Sequence, residues 1–289
     1  MLARLIGKSL AERSKRTVSF ENIHGSNGIS GSAKAAAAAP DGRTVLIAAS
    51  AHYINPSIYR SLPFDPLRDF APVSLIAAVS NVLAVHPSLP VSSCGELIAW
   101  AKQRPGALGY ASGGHGSPSH LAGELFKVMA GVDLAHVPYP GHSAAGEALS
   151  TGREVQLMFD AVMTALPHLE SGRWRAIAVT TANRCGALPA VPTLVESGLP
   201  GYEVGPSIGL LAPAAMPAWA VEELGAQIAS IVKTREIAAE FMRTGSQPVG
   251  SSPHDYAVYM MNEIEKWAKV VKEARIEILD APNLRGKTQ

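Results

Sequence analysis

The stretch Tyr110-Ala-Ser-Gly-Gly-His-Gly-Ser-Pro-Ser-His120 constrains the chain most, because it reads in succession as a strand end, a turn and a helix start. Residues 108–111 are apolar and extended. Gly113, Gly114 and Gly116 let the backbone turn sharply. Pro118 suits the first position of a helix and makes Ser117 its N-cap. Leu121, Leu125, Phe126 and Met129 then share one helical face, and Gly131 closes it. The first turn of this helix carries no Asp or Glu. The positive end of its dipole and its free N–H groups are therefore expected to lack an internal anion, and such an end can seat a carboxylate or a phosphate. An ordinary strand-to-helix turn would have the same residues.

The same alternation recurs along the chain. An amphipathic helix with Leu2, Leu5, Ile6 and Leu10 inward opens it, and a strand is expected over residues 17–20. A second glycine-rich turn, residues 25–31, leads to a helix over 32–39, a strand over 44–49 and a loop over 50–56. Residues 62–66 and 70–72 read as rigid connectors, followed by apolar runs at 73–79 and 82–85. Ser93 and Glu96 have capping-box spacing and start a helix that ends near Arg104. After the glycine-rich stretch come strands over 134–137, 155–159 and 176–180, helices over 143–149 and 161–171, and a turn with a short helix over 189–198. A strand over 208–212 precedes helices over 218–233, 236–244 and 252–274. This order predicts an α/β fold with largely parallel sheets, which bind ligands at the C-terminal ends of their strands. Four positions fall there: the loop after Ala49, the loop after Ala111, the Pro-Tyr-Pro-Gly turn after Val137, and Asp160.

At 289 residues the chain is near the size at which one core divides into two. Hydrophobic residues make up 47% and charged residues 17%, enough apolar surface for a sizeable core. A net charge of +1 without basic clusters argues against a nucleic-acid partner. No stretch approaches 18 uninterrupted apolar residues. Cys94 and Cys185 form no metal-type pair, and the nine histidines show no ligand spacing, so neither a metal nor a cofactor is expected. His120 reads as a capping or orienting residue.

Two serine motifs imitate a hydrolase. Gly205-Pro-Ser-Ile-Gly209 has the nucleophile-elbow pattern, but a strand and Pro213 follow it where an elbow needs a helix. Ser143 follows a strand and opens a helix, with Asp160 and His168 downstream, in a span too compact for an acid and a histidine on later strands. A plain helix start accounts for Ser143 equally. Asp160 can face a cationic ligand group, cap the next helix or face solvent.

The chain resembles the substrate-binding receptors of tripartite tricarboxylate transporters, the Bug proteins. The resemblance rests on Ala39-Pro-Asp-Gly42, Ile54-Asn-Pro56, Leu62-Pro-Phe-Asp-Pro66, Asp69-Phe-Ala-Pro-Val73, Tyr110-Ala-Ser112 with Gly116-Ser117 and His120-Leu121, and Val137-Pro-Tyr139 with Gly141. It continues through Met158-Phe-Asp160, Val179-Thr-Thr181, Val191-Pro-Thr193, Gly209-Leu-Leu-Ala-Pro213 and Pro248-Val-Gly250. It implies a two-lobed periplasmic-binding-protein-like fold with a cleft between the lobes. The first lobe would join residues 1–103 with 213–289, and the second would be residues 104–212. It further implies a monomeric, non-catalytic periplasmic receptor that takes a small carboxylate (an amino acid, a di- or tricarboxylate or an aromatic acid) and delivers it to membrane subunits. The matching ligand positions are Ser50, His52, Ser112, Gly116, Ser117, His120, Tyr139 and Asp160. Two departures stand out. Pro140 occupies a position that is commonly basic in the family. Also, the signal peptide, first strand and glycine-rich loop that precede the first helix in the family have no counterpart before Leu2. The second departure leads to the expectation of a truncated form with reduced stability and weakened binding, or a remnant that binds nothing. The competing reading is a serine hydrolase using Ser143 or Ser207.

Overall fold

The computed structural model describes residues 2–23 and 26–280. Gly25, with which the second glycine-rich turn begins, lies outside the described residues. The chain forms two compact units. One comprises Met1–Ala78, Ser207–Phe241 and Pro248–Gln289, the other Val79–Pro206 and Met242–Gln247. The first crossing therefore comes earlier than the 103/104 boundary expected from the sequence, because the strand over residues 81–85 pairs inside the second unit.

The first unit opens with α1 (Leu2–Ser14), which buries Leu2 and Ile6. Residues 17–20 form no strand. Phe20 instead folds back against Gly7 of α1, with the Arg4 guanidinium 5.0 Å above its ring. A short 3-10 turn, Ser26–Gly28, leads to α2 (Ile29–Ala36) and β1 (Leu46–Ala49). The expected loop over 50–56 is helical: α3 (Ala51–Ile58) contains Pro56 and buries Tyr53, Ile54 and Ile58. Burial of these three apolar side chains outweighs the backbone bond that Pro56 cannot make. The expected connector 70–72 is the start of β2 (Phe70–Val79), and Pro72 is accommodated at a bulge between it and Ser74.

The chain crosses at Ser80 into β3 (Asn81–Val85) and α4 (Cys94–Gln103), where Ser93 accepts the Glu96 N–H at 3.2 Å as the capping box requires. Then follow β4 (Gly109–Ser112), α5 (Pro118–Ala130), β5 (Ala135–Pro138), α6 (His142–Thr151), β6 (Leu157–Ala161), α7 (Val162–Glu170) and β7 (Arg175–Val179). Residues 189–198 are turns without a helix. The chain returns with β8 (Ser207–Pro213), α8 (Ala218–Val232), α9 (Arg235–Arg243), β9 (Ser246–Pro248) and α10 (Pro253–Glu273).

The sheets are not largely parallel as expected. In the first, of order β1-β8-β2-β9, both β1 and β2 run antiparallel to β8. In the second, of order β5-β4-β6-β3-β7, β4 is parallel to β5 and β6, whereas β3 is antiparallel to β6 and β7. Parallel pairing needs a crossover. Helices α5 and α6 supply it for β4, β5 and β6, while β3 follows β2 after a single residue. Each unit has its own core. Val73, Ile76, Leu210, Ile228, Ile231 and Phe241 anchor one, and Val82, Leu149, Val155, Met158, Val162 and Val179 the other.

Candidate ligand site

Because β4, β5 and β6 are parallel, their C-terminal ends share one edge of the second unit, and that edge carries Ser112, Tyr139 and Asp160. Residues 113–117 bridge from β4 to α5. Gly114 and Gly116 take φ of 116° and 72°, values that favour glycine, so the loop closes within five residues. Ser117 caps α5 as the sequence predicts, accepting the His120 N–H at 3.3 Å, and Gly131 ends the helix in the left-handed region. Tyr110 stacks under this turn. Its hydroxyl donates to Glu124 Oε1 at 2.5 Å, and its ring lies so close to Gly123 that any side chain there would collide with it.

The loop N–H groups are not left bare. Gly113 N–H donates to Ser119 Oγ at 3.0 Å, Gly114 N–H to Ser112 Oγ at 3.2 Å and Gly116 N–H to His120 Nδ1 at 3.1 Å. The loop thus offers hydroxyls where uncovered N–H groups were expected. Ser117 and Ser119 lie 3.1 Å apart, Oγ to Oγ. The pair accepts an N–H at each end and spends one of its two protons on the shared bond. The second hydroxyl proton has no acceptor among the described residues. The pair is buried beside an acid-free helix start, and that proton can be donated to an oxygen acceptor, neutral or anionic.

Under the loop three imidazoles gather. His120 and His136 stack at 4.0 Å and 22°, and His115 lies 4.7 Å from His120, ring centre to ring centre. Burial, then the neighbouring His136, His115 and Lys127, holds His120 down to about 2. Burial, then His115 and Lys127, lowers His136 to about 4. His120 and His136 are neutral at pH 7. The three residues bring one ring nitrogen each within 4.8 Å of the others. A tetrahedral metal needs nitrogens about 3.3 Å apart and aimed at one centre. Stacked rings aim theirs in parallel, and Gly116 N–H and Ser112 Oγ already occupy His120 Nδ1 and His136 Nε2. The stack supports the loop.

The remaining candidates are held differently. Tyr139 donates its hydroxyl to Glu154 Oε2 at 2.7 Å, and burial together with that carboxylate pushes it up to about 12. Asp160 is buried, with Oδ1 3.2 Å from His142 Nδ1 and Oδ2 accepting from Thr164 Oγ1 at 2.7 Å. Ser50 and His52 belong to the first unit. Ser50 Oγ accepts the Ser207 N–H at 2.8 Å. His52 is stacked on Phe64, its Nδ1 and Nε2 3.3 Å from Ser32 Oγ and the Pro66 carbonyl, and burial lowers it to about 4. The second unit thus brings together Ser112, Gly116, Ser117 and His120 at one turn, with Tyr139 and Asp160 on the same sheet edge. Sequence reasoning passed over Ser119, His136 and His142. Ser119 and His136 carry no motif, and His142 stood in the stretch weighed only for its serine.

The hydrolase arrangements do not assemble. Ser207 lies within β8 rather than at a strand-to-helix turn. Asp160 bonds His142, and His168 is stacked flat on Trp174 at 4.1 Å.

Comparison with known proteins matches residues 2–276 to the tripartite tricarboxylate transporter family receptor, TctC. The chain belongs to this receptor family. The UPF0065 protein of the tcbD-tcbE intergenic region in Pseudomonas sp. (strain P51) is 36% identical over 276 residues, covering 95% of this chain and 82% of that protein. Among solved structures, R. palustris Rpa4515 with adipate superposes with a TM-score of 0.90 at 38% identity, covering 96% of this chain and 93% of that one. MatC (Rpa3494) from Rhodopseudomonas palustris, with bound malate, gives 0.83 at 29% identity and 93% of each chain. The periplasmic binding protein BugD gives 0.86 at 28%, with 96% and 93% covered. These relatives share the α/β periplasmic-binding-protein fold. The receptor assignment makes the chain a substrate-binding protein and not an enzyme.

Proposed function

We propose that this receptor captures a small carboxylate in the periplasm and hands it to the membrane subunits of a tripartite tricarboxylate-type transporter. One observation carries the reading: the buried Ser117–Ser119 hydroxyl pair, with one proton to donate, stands at the acid-free N-terminus of α5. A carboxylate oxygen there accepts the spare proton and faces the positive end of the helix dipole. Gly116 serves by its φ of 72°, which no β-carbon favours, and Ser112 and His120 hold the loop in shape. The structures of relatives with adipate and malate support the same ligand chemistry. Ser50 and His52, which the resemblance placed at the ligand, hold the first unit's own backbone and aromatic cluster and are assigned no ligand contact in this reading. Among the described residues no helix is long and apolar enough to cross a membrane; the membrane subunits enter this reading from the receptor family.

The test is a thermal-shift and calorimetric screen of mono- and dicarboxylates, with amines and sugars as controls. A ligand present at 100 times its Kd stabilises the chain by about 2.7 kcal/mol. Carboxylates should shift the melt, and Ser117→Ala should weaken every one of them. A chain that melts unchanged with all carboxylates, or answers only to the controls, contradicts the assignment.

A further inference from the structure

His142 opens α6 at the same sheet edge. Its Nδ1 lies 3.2 Å from Oδ1 of Asp160, whose carboxylate is fixed on its other side by Thr164. The pairing joins a buried acid to a half-exposed imidazole, their side chains 5% and 45% accessible. The ring lies against the first residue of the glycine-rich loop. A β-carbon on Gly113 would come 2.9 Å from His142 Cδ2 and 3.0 Å from Nε2. The glycine at 113 is thus what leaves space for the imidazole beside the loop that ends at Ser117.

We propose that His142, held by Asp160, is a specificity-determining residue that binds the second carboxylate of a dicarboxylate whose first carboxylate sits at the Ser117–Ser119 pair. With Nδ1–H directed at Asp160, Nε2 donates a hydrogen bond only in the imidazolium form. A carboxylate at Nε2 is therefore met by the imidazolium form, and the Asp160 carboxylate balances that charge from behind. The charged group touching His142 is Asp160 on β6. Beyond that pair, Asp160 and Glu147 on α6 act on His168 of α7 against the opposing charge of Arg173, and no further acid contacts the His142 ring among the described residues. Asp160 is a positioning residue in this arrangement.

The inference rests on the carboxylate reading above, and one experiment separates the two. Wild type, His142→Ala, Asp160→Asn and Ser117→Ala are titrated calorimetrically with malate and adipate and with butanoate and hexanoate, the monocarboxylates of equal chain length. The wild type should prefer the dicarboxylate of at least one pair by tenfold or more. His142→Ala should lose that preference while monocarboxylate affinity stays within about twofold. Asp160→Asn, which keeps the shape, should lower the preference without abolishing binding, and Ser117→Ala should weaken both ligand classes alike. Equal losses for mono- and dicarboxylates in His142→Ala, or an unchanged preference, overturn the role of His142 and leave the carboxylate reading standing. Wild type that binds none of the four acids overturns both.

Discussion

Acid should destabilise this chain well above the range where its carboxylates titrate. His52 in the first unit and His120 in the second are 3% and 4% exposed, and burial depresses both, to about 4 and about 2. In the unfolded chain each titrates near 6.5. Between those values the unfolded state holds a proton that the folded state refuses. Stability is therefore complete above pH 6.5 and is lost as pH falls toward the folded values, by about 1.4 kcal/mol per pH unit for each fully buried histidine. From pH 7.5 to 5.0 that is about 2 kcal/mol each. His136, only partly buried, adds a smaller term in the same direction. Asp65, Glu96 and Glu196 are shifted below the usual carboxylate range by backbone hydrogen bonds, so what they contribute is lost only at lower pH and leaves the window clean. The assay is urea unfolding at half-unit steps between pH 7.5 and 5.0, on wild type and His52→Gln. The variant starts less stable, but its curve should fall by about 2 kcal/mol less over the window. Parallel curves, or a wild type whose stability is flat to pH 5.0, would refute the claim that these rings are held neutral by burial.

Two further outcomes follow from the packing. Ser117→Ala removes the cap of α5 and should cost about 1 kcal/mol in urea unfolding, besides its effect on carboxylates. Gly209→Ala forces a methyl group into the Tyr256 ring behind β8 and should cost about 1–3 kcal/mol, and a melt within 1 °C of wild type would show that the ring yields freely.

Much of the second unit was legible because its βα units announce themselves locally. Ser117, Pro118 and Gly131 mark both ends of α5, and Ser93 with Glu96 marks the start of α4; local chemistry decides such ends. What misled was decided at a distance. Residues 50–56 look like a loop because Pro56 and Asn55 break helices, yet Tyr53, Ile54 and Ile58 are buried and hold α3 together. Residues 17–20 have strand-forming side chains, but Phe20 finds its place against α1. The site divided in the same way. Ser112, Gly116, Ser117 and His120 lie within nine residues and could be read together. The Asp160–His142 contact joins β6 to α6, and the His136–Ser112 contact joins two strands, so neither leaves a spacing signal.

The longer of the two segments of the second unit, Val79–Pro206, begins and ends at the same place. The Val79 N–H donates to the Pro206 carbonyl at 2.7 Å, so the ends of this long insertion meet as closely as those of a tight turn. Once residues 79–206 have folded, the stretches of the first unit on either side of them are joined at little further cost in chain entropy, whereas joining them across the unfolded segment would carry the penalty of a very long loop. The order of folding is thereby biased: the inserted unit first, then the unit that holds both chain ends. Refolding followed by hydrogen exchange should protect β4 and β6 before β1 and β8, although β1 comes first in sequence.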